Sequence, residues 1–122
     1  MISEALLKAV KLSQRRADEA ASLTLKQRTQ EAMHEVQRLV QEFRRRDSEL
    51  RRVVLFGSLA GGTPSNPNFD IDVSFEGSEL YACTAIALNS HFKVDLVDYR
   101  SLPKFMQEEI DTHGRILYEA DA

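Results

Sequence analysis

The sequence predicts an α+β domain: an N-terminal helical extension followed by a small mixed β-sheet flanked by helices. Three observations predict it. Residues 3–50 contain neither proline nor glycine and repeat their apolar positions at helical spacing. Short segments at 53–56, 70–75 and 93–97 then switch to the continuous or alternating hydrophobicity of strands. Every glycine and proline falls after residue 56, where turns must connect those strands. A chain of 122 residues fits one domain, here residues 1–122, with a helical part at 1–50 and a sheet-bearing part at 51–122.

Taken in order, Ile2, Leu6, Ala9, Val10 and Ala17 predict a first helix from Ser3 to about Ala21. Ser22-Leu23-Thr24 reads as a short connection, with Thr24 as N-cap of a second helix reaching about Leu50. Leu25, Ala32 and Leu39 form one row of that helix, and Thr29, Val36 and Phe43 the next. The result is nearly a heptad seam. It lasts about three heptads, and Met33 and Val40 widen it, which favours packing on the domain's own sheet over a free coiled coil. Val53-Val54-Leu55-Phe56 reads as a buried strand stopped by Gly57, and Gly61 to Asn68 as a loop. The alternating Asp70–Phe75 follows, then a helix from Glu79 to about Asn89 and a strand at Lys93–Val97. Pro103, near N1, opens a last helix that Gly114 ends, and Ile116-Leu117-Tyr118 adds an edge strand.

Composition excludes several classes. The one cysteine, Cys83, cannot form an internal bridge and lies in an apolar stretch, which predicts a buried, inert thiol in a reducing compartment. Lysine and glutamate interrupt the first twelve residues, so no signal peptide is expected, and no apolar run approaches the length of a membrane span. A cytoplasmic location follows as an expectation. Residues 1–52 carry 12 Lys+Arg and 8 Asp+Glu, net +4, whereas residues 53–122 carry 4 and 11, net −7. The basic part has no interleaved aromatics and its arginines alternate with acids. A solvated helix face or a phosphate-facing rim therefore explains it better than nucleic-acid binding. His34, His91 and His113 share no metal-ligand spacing and read as surface or satisfied residues. Tyr81, Tyr99 and Tyr118 read as packing or edge residues before modification acceptors.

The acidic part carries the chemistry. In a strand, Ile71, Val73 and Phe75 face one side while Asp70, Asp72 and Ser74 face the other. The i,i+2 repeat sets two carboxylates roughly 7 Å apart, a spacing that favours a shared cation such as Mg²⁺. Asp95 repeats the pattern on another strand. If the strands are neighbours, three carboxylates converge and could hold two metal ions roughly 3.5–4 Å apart for displacement at phosphorus. Gly57 lets backbone approach a ligand closely, and Ser58, if it opens a short helix through Leu59 and Ala60, makes an anion site. No Gly-x-x-x-x-Gly-Lys-Ser/Thr string occurs, which excludes a P-loop, and Phe75 stands where an EF-hand needs glycine. An isolated Asp-x-Asp is usually a solvated strand face; the ordered set is a much stronger signal.

Phe56-Gly57-Ser58, then Asp70-Ile71-Asp72 and a third acid at Asp95, resembles the DNA polymerase β-like nucleotidyltransferases. The likeness covers roughly residues 30–120. It points to the minimal branch that pairs with HEPN-domain proteins in toxin–antitoxin systems. The resemblance implies the nucleotidyltransferase fold and Mg²⁺-dependent, two-ion transfer of a nucleoside monophosphate from an NTP, with ATP favoured as donor. Asp70, Asp72 and Asp95 would be the metal ligands and catalytic residues, with Asp95 helping to deprotonate the acceptor, and Gly57 and Ser58 would hold the nucleotide. Three departures stand out. The loop from Ser58 to Asp70 is one residue longer than usual, Leu59 replaces a common arginine, and Phe69 a common serine. No room remains for an acceptor-binding domain, so the expected acceptor is a hydroxyl on a partner protein of HEPN type. The helical part would serve as docking or dimerisation surface in a homo- or hetero-oligomer. The alternative is a catalytically weak antitoxin that neutralises its partner by contact.

Overall fold

The computed structural model describes residues 3–62 and 64–121. Ile2 of the first apolar stripe and Thr63 of the predicted loop lie outside them. Helix α1 (Glu4–Arg46) is one continuous element of 43 residues, about 65 Å long at 1.5 Å per residue. Ser3 caps it, its hydroxyl accepting from the Leu6 N–H at 3.2 Å. The connection expected at Ser22–Thr24 does not exist. The Thr24 hydroxyl donates to the Ala20 carbonyl and Thr29 to that of Leu25. Both hydroxyls are thereby satisfied inside the helix instead of terminating it. The helix also stops at Arg46 rather than near Leu50, because Asp47 leaves helical backbone and turns its carboxylate to another loop.

Only the C-terminal part of α1 enters the core. Ala32, Val36, Leu39, Val40 and Phe43 are buried, while Leu6, Leu7, Val10, Leu12 and Leu23 are exposed. The seam thus packs on the chain's own sheet, as its width predicts. Phe43 meets Phe75 edge-on with centroids 6.0 Å apart, a favoured aromatic geometry.

Four strands form the sheet: β1 (Arg52–Phe56), β2 (Ile71–Glu76), β3 (Val94–Asp98) and β4 (Arg115–Glu119). Their order is β3-β2-β1-β4. Strand β1 is antiparallel to both neighbours and β2 is parallel to β3, so the sheet is mixed and β4 is the expected edge. A parallel pair needs a crossover, and α2 (Leu80–Leu88) supplies it. Val53, Leu55, Ile71, Val73 and Phe75 face α1 and α2 in one core that includes Cys83. Burial pushes the Cys83 thiol up to about 11, consistent with the inert reading.

A 3₁₀ turn (Tyr99–Ser101), absent from the sequence reading, leads to α3 (Lys104–His113). Pro103 is the N-cap of α3 rather than its first helical residue, and Gly114 ends it with its N–H donating to the Ile110 carbonyl. Val54 and Ile110 are buried where α3 covers β1 on the second face of the sheet. No helix among the described residues is long and apolar enough to cross a membrane.

Candidate active site

The site lies where β1 ends and β2 and β3 begin. Antiparallel pairing sets Phe56, the last residue of β1, beside Asp72. Gly57 then turns the chain with φ +75°, and a Cβ there would collide with Asp72 Oδ2. The glycine therefore provides both the left-handed backbone and the space for a carboxylate. Gly57→Ala is expected to lose about 1–2 kcal/mol in denaturant titration from the backbone strain. It should also displace Asp72 and lower activity along with stability.

Ser58 follows in a turn rather than a helix, and the Gly62 N–H reaches the Leu59 carbonyl at 3.4 Å. The short helix expected through Leu59 and Ala60 is therefore absent, and with it the dipole of a helix N-terminus. Leu59 is 1% exposed. Its burial anchors the turn while Ser58 stays exposed beside Gly57.

Asp72 and Asp95 are direct register partners on the parallel strands, so alternation sends both side chains to the same face of the sheet. Burial pushes the Asp72 carboxyl above its ordinary range, the charges of Asp95 and Asp70 push it further, and Lys93 opposes them. Asp70, just before β2, pairs with Lys93 Nζ at 3.6 Å. The structure thus brings Asp70, Asp72 and Asp95 to one end of the sheet beside Gly57. Among the described residues, no three acids, histidines or cysteines close tightly enough to cage an ion unaided.

The donor set nevertheless fits a hard cation. Lys93 pairs with only one of the three carboxylates, that of Asp70, and the half-buried Asp72 carboxyl is raised by burial and by the charges of Asp95 and Asp70. Mg²⁺ takes one or two carboxylates and completes its shell with water and phosphate oxygens, so an incomplete protein cage suits it.

Sequence reasoning missed two supports. Lys93 reaches Asp70 only because β2 and β3 start side by side, a long-range fact. Phe69 stacks on Phe92 with centroids 6.3 Å apart, and the Arg28 guanidinium lies 4.1 Å from the Phe92 ring centroid. The aromatic residue before Asp70 thus ties the start of β2 to the segment before β3 and to α1.

The sequence profile of the polymerase beta nucleotidyltransferase domain matches residues 37–122. This chain belongs to that family. The match begins inside α1, leaving most of the exposed helical arm outside it. No curated protein sequence matches the chain. Among solved structures, a toxin–antitoxin crystal structure with AMP-PNP is similar at 25% identity and TM-score 0.57, covering 70% of this chain and 74% of that one. A toxin–antitoxin MntA–HepT structure, at 22% identity and TM-score 0.51 over 68% of each chain, shares the fold. The nucleotidyltransferase domain here therefore shares its architecture with a chain of each of these toxin–antitoxin structures.

Proposed function

We propose that this nucleotidyltransferase domain moves a nucleoside monophosphate from an NTP to a hydroxyl of a partner protein, with Mg²⁺ as cofactor and an antitoxin as its biological role. The observation that carries the reading is the in-register pair Asp72 and Asp95, with the Asp72 carboxylate seated against the Gly57 turn. Asp70, Asp72 and Asp95 would hold the ions. Mg²⁺ bound there would supply charge neutralisation at the triphosphate and a more acidic acceptor hydroxyl.

The chain's own residues do the rest. The Gly57–Ser58 turn presents backbone N–H groups and the Ser58 hydroxyl to the phosphates. Asp95, exposed on β3, accepts the proton of the incoming hydroxyl. A bond forms from that oxygen to the α-phosphorus, the bond to the β-phosphate oxygen breaks, and pyrophosphate leaves. The acceptor is proposed to be a HEPN-type toxin. A similar structure described as a toxin–antitoxin with AMP-PNP supports this. ATP is the favoured donor, in keeping with AMP-PNP in that structure.

The test is incubation with Mg²⁺, each α-labelled NTP and the candidate partner. Label on the partner, lost when Mg²⁺ is chelated, is the expected result. The second reading, neutralisation by contact alone, is favoured by the buried Leu59 and by a Ser58 turn without a helix behind it. Tight complex formation without label on either protein would establish that reading instead.

A further inference from the structure

A cleft of about 380 Å³ opens beside Gly57, lined by Phe56, Gly57, Gly61, Glu109, His113 and Gly114. It lies between the turn after β1 and the last turn of α3, and it continues directly from the residue that seats Asp72. We propose that this cleft takes the nucleoside end of the nucleotide, base and sugar, with Glu109 and His113 as specificity-determining residues at its rim. The inference rests on the nucleotide-binding reading above and locates the half of the ligand which that reading leaves unassigned.

Three features select such an occupant. Three of the six lining residues are glycines, so bare backbone walls the space and a flat ring can approach closely. Phe56 offers an aromatic contact, and a compact largely apolar wall with few polar groups is the usual composition of a small-molecule site. The polar rim is Glu109 with His113, whose Nδ1 lies 3.2 Å from Glu109 Oε1. An ionised Glu109 only accepts hydrogen bonds, which suits the N–H edge of a base. The negative charge and the C-terminal end of α3 both disfavour a triphosphate here, so the phosphates remain on the Ser58 and Asp72 side.

The larger cleft at the opposite end of the sheet, about 540 Å³, holds Arg52, Glu76 and Tyr99. Its Arg52 guanidinium is already engaged by Glu76 at 2.8 Å and Asp111 at 3.0 Å. It therefore offers an incoming anion little.

The test compares two probes by calorimetry with Mg²⁺ on the full chain: the α,β-methylene analogues of the four NTPs, and inorganic tripolyphosphate. Gly61→Leu fills the cleft, and the nearest atom to a Cβ there is the Ser58 carbonyl oxygen at 3.7 Å, so the fold should accommodate it. His113→Ala removes part of the rim. Each variant is expected to weaken the tightest analogue at least about tenfold, 1.4 kcal/mol, with tripolyphosphate affinity unchanged. Unchanged analogue binding in both variants would overturn the inference, as would an equal loss of both probes. If the unmodified protein bound neither probe, the nucleotide reading itself would fail, an outcome distinct from either of those.

Discussion

Asp72→Asn is expected to lower nucleotidyl transfer at least about a hundredfold while leaving the fold as stable as before, or more so. The activity estimate is a lower bound, since even outer-shell partners of metal ligands are worth about 10–100-fold. The stability prediction follows from the sign of the shift. Burial, Asp95 and Asp70 raise the Asp72 carboxyl above the ordinary aspartate value of 3.8. The native state then binds this proton more tightly than the unfolded chain does. Ionisation therefore costs folding free energy as pH rises from 3.8 through the native pKa, and the whole cost persists at neutral pH. Asparagine removes the charge and the cost together. A divalent cation should remove the same cost, so Mg²⁺ is expected to raise the melting temperature of the unmodified protein more than that of the variant. Parallel melts with and without Mg²⁺, beside the label-transfer assay, measure all three effects. A variant that melted well below the unmodified protein would mean that Asp72 holds the fold rather than a cation.

Asp47→Ala is expected to be the most destabilising single polar substitution. Asp47 is 2% exposed and gathers four hydrogen bonds from both sides of the fold. Its Oδ2 accepts from the Ser78 N–H at 2.8 Å and the Glu79 N–H at 2.9 Å, and its Oδ1 accepts from the Ser78 hydroxyl at 2.8 Å and the Glu49 N–H at 3.0 Å. One carboxylate thus ties the end of α1 to the turn before α2, and through it to the crossover between β2 and β3. A Cβ at Gly77 would collide with Asp47 Oδ2, so the close approach also requires that glycine.

Alanine would strand buried donors, each costing about 1–3 kcal/mol, so a loss of roughly 3 kcal/mol is expected. The melting temperature should fall on the order of 10 °C or more. Burial pushes the Asp47 carboxyl up, but bonds from Glu79, Ser78 and Glu49 outweigh it and hold it below 3.8. A lowered carboxylate contributes stability that is present above 3.8 and lost as pH falls through the native value. The gap between unmodified protein and Asp47→Ala should therefore be full at neutral pH and narrow in acid. Urea titrations across that range measure it, and a gap independent of pH would refute the carboxylate's role.

Much of the fold was legible because its signals are local. The period-two alternation of Asp70–Phe75 names both the core face and the acidic face before any partner strand is known. Val53–Phe56 followed by glycine marks where a buried strand stops, and Gly114 marks the end of α3. The candidate residues Gly57, Asp70, Asp72 and Asp95 could be read for the same reason. Each sits at a position that strand period and turn chemistry define, and their order matched a family pattern.

The misreadings are equally physical. Ser22 and Thr24 have the chemistry of a helix break, yet hydroxyls can also bond within a continuing helix, and local sequence does not decide between these. The expected helix after Ser58 gave way to a turn because Leu59 is drawn into the core, a tertiary demand. Asp47 drew no reading from the sequence, since its four donors come from residues 2 to 32 positions away.

By itself, then, the sequence determined the α+β class, the strand faces and which acids could share a face. Those properties depend on residues within a few positions of one another. Only the tertiary structure decided that Asp72 and Asp95 stand in register, that Gly57 makes room for the Asp72 carboxylate and that Lys93 reaches Asp70. It alone also opened a cleft between α3 and the Gly57 turn. Each of these depends on segments far apart in the chain, brought together by burial of one apolar face of a four-stranded sheet under α1.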